Sequence, residues 1–185
     1  TMISYEIDEE VFLKLFTEDD KEEFYQLIAH SKEHLKTWVT WIDSVNSQED
    51  TNVSLQLRIE GTVENGGYPM WFAIMYKGQM AGTIGFNEVD RTNRIGEIGY
   101  WIGRDFQGKG IMSRAFSAII RYGFELMKLN RLEVYIAAGN ERSRALPEKF
   151  DFKEEGQIRQ AEWLYDHYDD QIIYGLLAED WKQSH

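Results

Sequence analysis

The stretch that decides the fold runs from residue 96 to residue 112 and reads GEIGYWIGRDFQGKGIM. Its first half predicts a strand, and its end opens a long amphipathic helix over 111–128. Between them, residues 107–112 form a glycine-rich turn. Strand, glycine turn and helix is an arrangement that binds phosphates, because glycines let the backbone approach a ligand and the free N–H groups of a helix start point at it. The stretch therefore predicts a phosphate-group site, with Arg104, Lys109 and Arg114 close by in sequence.

Two well-known phosphate loops do not fit this turn. A Walker A loop needs Ser or Thr after its lysine, and Lys109 is followed by Gly110. A Rossmann fingerprint needs a third glycine where Ser113 stands, and a βαβ unit near the chain start. The pattern (Arg/Gln)-x-x-Gly-x-(Gly/Ala) fits at Gln107 and Gly110 and departs at Met112. A structural turn without a ligand is the alternative interpretation of the loop alone.

The rest of the chain alternates between helical and strand patterns. Thr17-Glu18-Asp19-Asp20 has the chemistry of a helix start, and Arg131 to Ala138 alternates as a half-buried strand does. The predicted order is β-α-α-β-β-β-α-β-α-β-β, a mixed α/β sheet. The predicted strands are 12–16, 71–76, 80–86, 96–103, 131–138, 158–165 and 171–178, and the predicted helices end near Ser31 and Gly61 or start at 111 and near Ser143, with a loop at Asn65-Gly66-Gly67-Tyr68-Pro69.

Composition limits the classes of function. With 185 residues, 43% of them hydrophobic, and no obvious linker, we expect one domain over 1–185. The absence of cysteine excludes disulfides and thiolate chemistry supplied by the chain. A net charge of −12 argues against a protein that binds nucleic acid and is favourable for a cationic partner. The same charge also helps to keep a protein soluble. Because there is no apolar run of about 20 residues and no signal-peptide pattern, we expect a soluble cytoplasmic protein without a membrane partner.

Four stretches in register resemble GNAT acetyltransferases, and more narrowly the Rim-type enzymes that acetylate the N-termini of ribosomal proteins. They are 96–102, 107–112, Asn140-Glu141-Arg142-Ser143-Arg144-Ala145-Leu146, and Glu155-Gly156 followed by Arg159 to Leu164. The similarity spans roughly residues 10–180. It implies a GNAT fold, which is a mixed, mostly antiparallel sheet with a splayed central strand pair, flanked by helices.

The resemblance also implies acetyl-CoA as cosubstrate and no metal. In that family the strand before the loop pairs with the pantetheine arm, the loop amides hold the pyrophosphate, and an asparagine hydrogen-bonds the pantetheine region. The matching positions here are Tyr100, Trp101 and Ile102 for the strand, Gln107, Gly108, Lys109, Gly110, Ile111 and Met112 for the loop, and Asn140 for the asparagine.

The catalytic groups implied by the resemblance are Glu162 as base and Ser143 as proton donor to the leaving thiolate. Many GNAT enzymes place a tyrosine acid where this chain has Pro147, so that acid is missing. Glu97 is the second candidate base, because other GNAT enzymes use a carboxylate there. Each residue also has a structural interpretation: Ser143 as a helix N-cap, Glu162 as a solvated strand carboxylate, and Glu97 as partner of a neighbouring arginine.

Several other residues are candidates for the site or for the surface. Trp38 and Trp41 are three residues apart, which predicts one shared helix face, either in the core or lining the acceptor slot; with Glu97 they are the predicted substrate-binding residues. We expect His30 and His34 to be a surface pair rather than metal ligands. Asp166 to Asp170 reads as a polar hairpin turn. Asp151 stands where the family has glycine, which predicts a strained or reshaped turn.

Three functions of different classes stay open at this point. The first is acetyl transfer to a primary amine, most simply the N-terminal α-amine of a protein, with a small-molecule amine as the alternative acceptor. The second is a non-catalytic acyl-CoA-binding module, and the third is a protein that binds nucleotide phosphates. A homodimer fits the family, and no sequence feature tests it.

Overall fold

The computed structural model describes residues 4–61 and 67–184, so Asn65 and Gly66 of the predicted loop lie outside the described residues. The helices are α1 (Lys21–Leu35), α2 (Gln48–Glu60), α3 (Ile111–Arg121), α4 (Glu141–Lys149) and α5 (Ala178–Ser184). The strands are β1 (Ser4–Glu6), β2 (Val11–Lys14), β3 (Trp71–Tyr76), β4 (Gln79–Asp90), β5 (Ile95–Ile102), β6 (Arg131–Ala137), β7 (Lys153–Leu164) and β8 (His167–Leu177).

The eight strands form one sheet in the order β1-β2-β3-β4-β5-β6-β8-β7. The pairs β1–β2, β2–β3, β3–β4, β6–β8 and β7–β8 are antiparallel. The pair β5–β6 is parallel and joins Ile95–Glu97 with Arg131–Glu133, which are the first three residues of each strand. The predicted mixed, mostly antiparallel sheet is therefore confirmed, and a parallel pairing this short is what a splayed pair requires.

The chain forms two compact units. The first comprises Thr1–Gly85 with Tyr100–Ile119, and the second comprises Phe86–Gly99 with Ile120–His185. The core of the first unit contains Phe16, Phe24, Ile28, Leu55 and Trp101, all buried. In the second, Leu132, Val134 and Ile136 of β6 are buried as their alternation predicted, together with Tyr174 of β8. One domain over 1–185 stays a prediction.

Local chemistry explains where the first two helices begin. The Thr17 side chain accepts from the Asp19 N–H, and the Asp20 carboxylate accepts from the Thr17 N–H at 2.7 Å, which is a capping box before α1. Ser47 caps α2 by accepting from the Asp50 N–H at 3.1 Å. The predicted helix start at Thr17 and the predicted helix end near Gly61 are confirmed.

The helical face predicted for Trp38 and Trp41 is wrong. Helix α1 ends at Leu35, and Trp41 lies in a separate 3₁₀ turn, Thr40–Ser44, while Trp38 precedes that turn. Thr37, Val39 and Thr40 are β-branched, and such residues lose side-chain freedom in an α-helix, so the helix does not continue through them.

The two ends of the chain also differ from the prediction. A short strand, β1, precedes the expected first strand, and α5 follows the expected last one. The turn predicted over 166–170 is confined to Tyr165 and Asp166, and β8 already begins at His167. Carboxylates are frequent in turns, but here Asp169 and Asp170 lie in β8 and accept backbone N–H groups.

Helix α4 ends in a Schellman motif. The Phe152 N–H donates to the Pro147 carbonyl at 3.0 Å, and the Asp151 N–H donates to the Glu148 carbonyl at 3.2 Å. Such a motif needs a left-handed residue, and Asp151 has φ +64°. The strain predicted at this position is therefore present, because glycine would adopt the same φ without steric cost.

Candidate active site

The glycine loop of the first unit leads from β5 to α3. The Gly103 N–H donates to the Ala81 carbonyl at 2.7 Å, and the Arg104 N–H donates to the buried Ser31 Oγ at 3.1 Å, so the entry to the loop is fixed. A 3₁₀ turn over Arg104–Phe106 follows. Gly108 and Gly110 then adopt φ +76° and +70°, conformations that a side chain would strain.

Arg114 holds the backbone of this loop from one side. Its Nη2 donates to the Lys109 carbonyl at 2.9 Å and its Nε to the Gly110 carbonyl at 3.2 Å. In a trans peptide the C=O and the following N–H point in opposite directions. The N–H groups of Gly110 and Ile111 therefore point away from Arg114. Together with the N-terminal end of α3, they form an arrangement of donors that could hold an anion.

Two carboxylates fix Arg114 in turn. Its Nη1 donates to Asp8 Oδ2 at 2.9 Å and to Glu10 Oε1 at 3.2 Å. Asp8 Oδ1 also accepts the N–H groups of Glu10 and Val11, both at 2.8 Å. The hydrogen bonds from Arg114 lower the pKa of Asp8 and of Glu10. Arg114 is thus committed to the protein, rather than being the local positive charge for a ligand that its place in the sequence suggested.

Gln107, the first residue of the loop motif, contacts a histidine. Its Nε2 lies 2.5 Å from His34 Nε2, and both residues are half-buried. The expectation that His30 and His34 are a surface pair holds for His30, which is exposed and contacts the Gln26 carbonyl at 2.8 Å through Nδ1. It is wrong for His34, because helix α1 continues past Ser31 and brings this histidine to the loop.

The three predicted strand residues occupy alternating sides of β5. The rings of Tyr100 and Phe116 pack edge to face, with centroids 5.6 Å apart. Trp101 is buried against Phe24 and Trp41, and Ile102 is half-buried. Trp41 itself is 39% exposed and Trp38 is half-buried.

Asn140 and Ser143 meet at the start of α4 in the second unit. The Asn140 Oδ1 accepts the Ser143 N–H at 3.3 Å, so Asn140 is the N-cap and the N-cap interpretation of Ser143 is wrong. The Gly139 N–H donates to Asp169 Oδ2 at 3.2 Å, and Arg144 Nε donates to the Tyr174 hydroxyl at 3.1 Å. These bonds attach the start of α4 to β8.

Glu162 follows an irregularity in β7. The register with β8 shifts between Ile158 and Glu162, and Gln160 within this bulge has φ +50°. The Gln160 N–H donates to Asp170 Oδ1 at 2.8 Å, and Gln171 Nε2 donates to Glu162 Oε2 at 3.3 Å. Bulges commonly redirect a side chain beside an active site. Glu162 is half-buried, and a surface cleft of about 720 Å³ borders the bulge, lined by Gln157, Ile158, Arg159, Gln160 and Asp170.

Asp169, Asp170 and Gln171 support these residues, and no sequence pattern points to that role. Their position opposite the Gln-Ala-Glu triplet follows only from the register of the β7–β8 hairpin. A two-residue turn at Tyr165 and Asp166, had it been recognised, would have placed Glu162 opposite Asp169.

Glu97 lies in an acidic environment in the second unit. Burial raises its pKa, a hydrogen bond with Asn87 opposes the rise, and the charges of Glu88 and Glu133 add to it. The nearby Arg131 pairs with Glu133 at 2.9 Å and with Glu155 at 2.7 Å. In the described part of the chain no arginine pairs with Glu97, so its interpretation as a structural arginine partner is wrong.

The described residues contain no group of three or more His, Cys, Asp or Glu side chains that could hold a metal ion. None of their helices combines the length and the apolar character that crossing a membrane would need.

Comparison with known proteins identifies the family. Residues 10–153 match the family described as acetyltransferase (GNAT) domain. A Bacillus subtilis protein provisionally named a ribosomal N-acetyltransferase is 32% identical over 183 residues, which is 98% of each chain. The ribosomal-protein-serine acetyltransferase of Escherichia coli is 31% identical over 94% of this chain and 96% of its own.

A solved structure extends the likeness to the fold. A ribosomal L7/L12 α-N-protein acetyltransferase in complex with coenzyme A superposes with a TM-score of 0.89 and 28% identity, over 95% of this chain and 98% of that one. The family match over most of the chain confirms the resemblance drawn from the four sequence stretches. The chain belongs to the GNAT family and is an acetyl-CoA-dependent N-acetyltransferase.

Proposed function

We propose that this enzyme acetylates the N-terminal α-amine of a ribosomal protein, with Glu162 as the general base and Ser143 as the proton donor. The observation that supports a ribosomal protein as the acceptor is the nearly full-length match to relatives named for ribosomal-protein acetylation. The observation that supports the base is the bulge of β7, which ends at the half-buried Glu162 and whose residues line a surface cleft. A ribosomal-protein substrate would place the reaction in the cytoplasm, and this localisation is part of the proposal.

The cofactor contacts proposed for the first unit use backbone groups. The outward amides of Gly110 and Ile111, with the other amides from Gln107 to Met112, bind the pyrophosphate, and Arg114 keeps them oriented. The backbone of Tyr100, Trp101 and Ile102 pairs with the pantetheine arm. In the second unit, Asn140 is the proposed cofactor contact through its side-chain NH₂ group, while its Oδ1 caps α4. Bound acetyl-CoA supplies the thioester carbonyl that the amine attacks.

The proton balance assigns one role to each catalytic side chain. A neutral amine forms the new C–N bond, and Glu162 accepts the proton that the amine nitrogen loses, directly or through one water. As the C–S bond breaks, the Ser143 hydroxyl donates a proton to the leaving sulfur, so that CoA departs as the thiol. Ser143 regains a proton from solvent and Glu162 releases its own to solvent, which returns both side chains to their starting states. Gln171 holds one oxygen of Glu162 at 3.3 Å, which leaves the other for the amine proton.

Glu97 is the competing base, and its environment gives it a specific advantage. A carboxylate whose pKa is raised towards the working pH is a stronger proton acceptor than an ordinary one. Exchange of each carboxylate for its amide separates the two candidates, because only the working base has to be ionised.

The acceptor is tested by measuring CoA release from acetyl-CoA with a panel of amines. The panel contains peptides with N-terminal Ser or Ala, the same peptides with a blocked N-terminus, and spermidine. Release with the free peptides alone supports the proposal, and mass spectrometry should place the acetyl group on the α-amine. Turnover with spermidine but not with peptides would assign a small-molecule acceptor. Saturable CoA binding without turnover of any amine would indicate a non-catalytic module.

A further inference from the structure

One face of α1 lies against the entry to the glycine loop in the first unit. Leu27, Ser31 and His34 are four and three residues apart, so their side chains share one side of the helix. Leu27 and Ser31 are buried, and His34 is half-buried. A Cβ at Gly103 would lie only 2.6 Å from Leu27 Cδ1 and 3.1 Å from Ser31 Oγ, so glycine at this position lets α1 pack directly on the loop entry.

Two of these α1 side chains are hydrogen-bonded to the loop segment. Ser31 Oγ accepts the Arg104 N–H at 3.1 Å, and His34 Nε2 lies 2.5 Å from Gln107 Nε2. An amide nitrogen donates and does not accept, so the imidazole Nε2 is the acceptor of this second bond. The proton of the neutral ring is then on Nδ1. His34 thus serves as an acceptor in a bond between two segments that are 73 residues apart in sequence.

The place of Gln107 in the loop gives this bond its importance. Residues 108–110 are exposed, and two of them are glycines, which have no side chain through which the loop could be held. Arg114 holds the far end of the loop by its hydrogen bonds to two loop carbonyls. At the near end, the bond between Gln107 and His34 has the corresponding place. Ordering a glycine-rich segment costs conformational entropy, so a loop that is already held binds its ligand more tightly.

We propose that His34 is a positioning residue for the cofactor, because its bond to Gln107 fixes the near end of the loop that receives the pyrophosphate. This inference rests on the proposed function, in which the amides from Gln107 to Met112 bind that group. It assigns no chemical step to His34, since the imidazole acts on the cofactor only through Gln107. The expected signature is therefore a weaker affinity for the cofactor with kcat unchanged.

The test is isothermal titration of CoA into the wild type and three histidine variants. His34→Phe keeps a ring but has no acceptor, so its Kd for CoA should rise about 3- to 10-fold, the factor that one neutral hydrogen bond contributes. His34→Gln offers a side-chain carbonyl as acceptor and should bind within about twofold of the wild type. The matched control is His30→Phe, which replaces an exposed histidine one turn earlier on α1 and should leave the Kd unchanged.

Two results of these titrations would overturn the role of His34: an unchanged Kd in His34→Phe, or a Kd in His34→Gln as weak as that in His34→Phe. A second comparison tests whether the effect passes through Gln107. Adding His34→Phe to Gln107→Leu should change the Kd less than about twofold, because the bond is already absent. The same 3- to 10-fold loss in both backgrounds would contradict the inference. If His34→Phe does not fold, His34→Ala replaces it in both backgrounds.

Kinetics with a shortened cofactor separate positioning from a general disturbance of the fold. S-Acetyl-pantetheine carries the same thioester as acetyl-CoA and lacks the pyrophosphate. With an N-terminal serine peptide as acceptor, His34→Phe should lower kcat/KM about 3- to 10-fold with acetyl-CoA and less than about twofold with S-acetyl-pantetheine. The kcat with acetyl-CoA should stay within about twofold of the wild type. An equal loss with both cofactors would show that the substitution acts on the fold and would overturn the positioning role.

Failure of the proposed function is recognised separately. If the peptide is not acetylated, the CoA titrations still decide, because they need no acceptor. Gly110→Ala strains the loop itself, since Gly110 has φ +70°. A Kd for CoA that rises in Gly110→Ala but not in His34→Phe would overturn the role of His34 and keep the loop as the cofactor site. A Kd unchanged in both variants would overturn the proposed pyrophosphate site, and this inference with it.

Discussion

Replacing Arg114 with Met tests whether the cofactor loop is held ready for its ligand. The side chain makes two hydrogen bonds to loop carbonyls, at 2.9 and 3.2 Å, and is 25% exposed. At about 0.5–1.5 kcal/mol for each partly exposed bond, the two contribute about 1–3 kcal/mol to loop order. Because 1.4 kcal/mol is a factor of ten, we expect the Kd for CoA to rise about 5- to 150-fold.

The assay is isothermal titration of CoA into the wild type, Arg114→Met, Arg114→Lys and the control Arg121→Met. Arg114→Lys keeps a charge for Asp8 and Glu10 but cannot bond both carbonyls, so its Kd should fall between those of the wild type and Arg114→Met. Arg121→Met should bind as the wild type does. A Kd for Arg114→Met within twofold of the wild-type value would refute the reasoning, because the loop would then be ordered without the two hydrogen bonds from Arg114.

Three further predictions concern single residues of the second unit. Asp151→Gly should raise the free energy of unfolding by about 0.5–1 kcal/mol, since glycine adopts the left-handed conformation without strain, whereas Asp151→Ala should lower it; thermal melts decide. Glu97→Gln should raise Tm above pH 7, and the gain should vanish as pH falls below the ordinary value of 4.5, because a raised pKa destabilises the folded protein only where the carboxyl ionises. A Tm gain that is the same at pH 4 and pH 8 would contradict this. Asp170→Ala should lower kcat about tenfold through the released bulge, with KM for acetyl-CoA unchanged and partial rescue by Asp170→Asn. Equal rates for Asp170→Ala and the wild type would remove Asp170 from the site.

The elements set by local patterns were predictable from the sequence. Three features depend only on residues within one turn or strand: the cap at Thr17, the alternation of Leu132, Val134 and Ile136, and the glycine loop at Gly108 and Gly110. The strained turn at Asp151 also followed from a local comparison with the family motif, and its left-handed conformation is the form that this strain takes. These features are confirmed because short-range sterics and hydrogen bonds suffice to produce them.

The contacts between distant segments were not predictable in this way. Arg114 is bonded to Asp8 and Glu10, more than a hundred residues away in sequence, and His34 meets Gln107 only because α1 extends to Leu35. The support of the Glu162 strand by Asp170 depends on the register of the β7–β8 hairpin. The predicted turn at 166–170 lies later in the chain than the actual turn at 165–166, so it gives the wrong register. In each case tertiary pairing gives the residue its role, and a single sequence carries no direct signal of it.

The most direct test of the proposed mechanism is the kcat of Glu162→Gln with an N-terminal serine peptide at saturating acetyl-CoA, measured beside Glu97→Gln and the exposed-carboxylate control Glu154→Gln. General-base catalysis contributes about 10²- to 10⁴-fold, so Glu162→Gln should lose at least 100-fold in kcat while its CoA affinity stays unchanged. Glu97→Gln and Glu154→Gln should stay within about fivefold of the wild type. A Glu162→Gln enzyme as fast as the wild type would contradict the assignment, and a 100-fold loss in Glu97→Gln instead would make Glu97 the base.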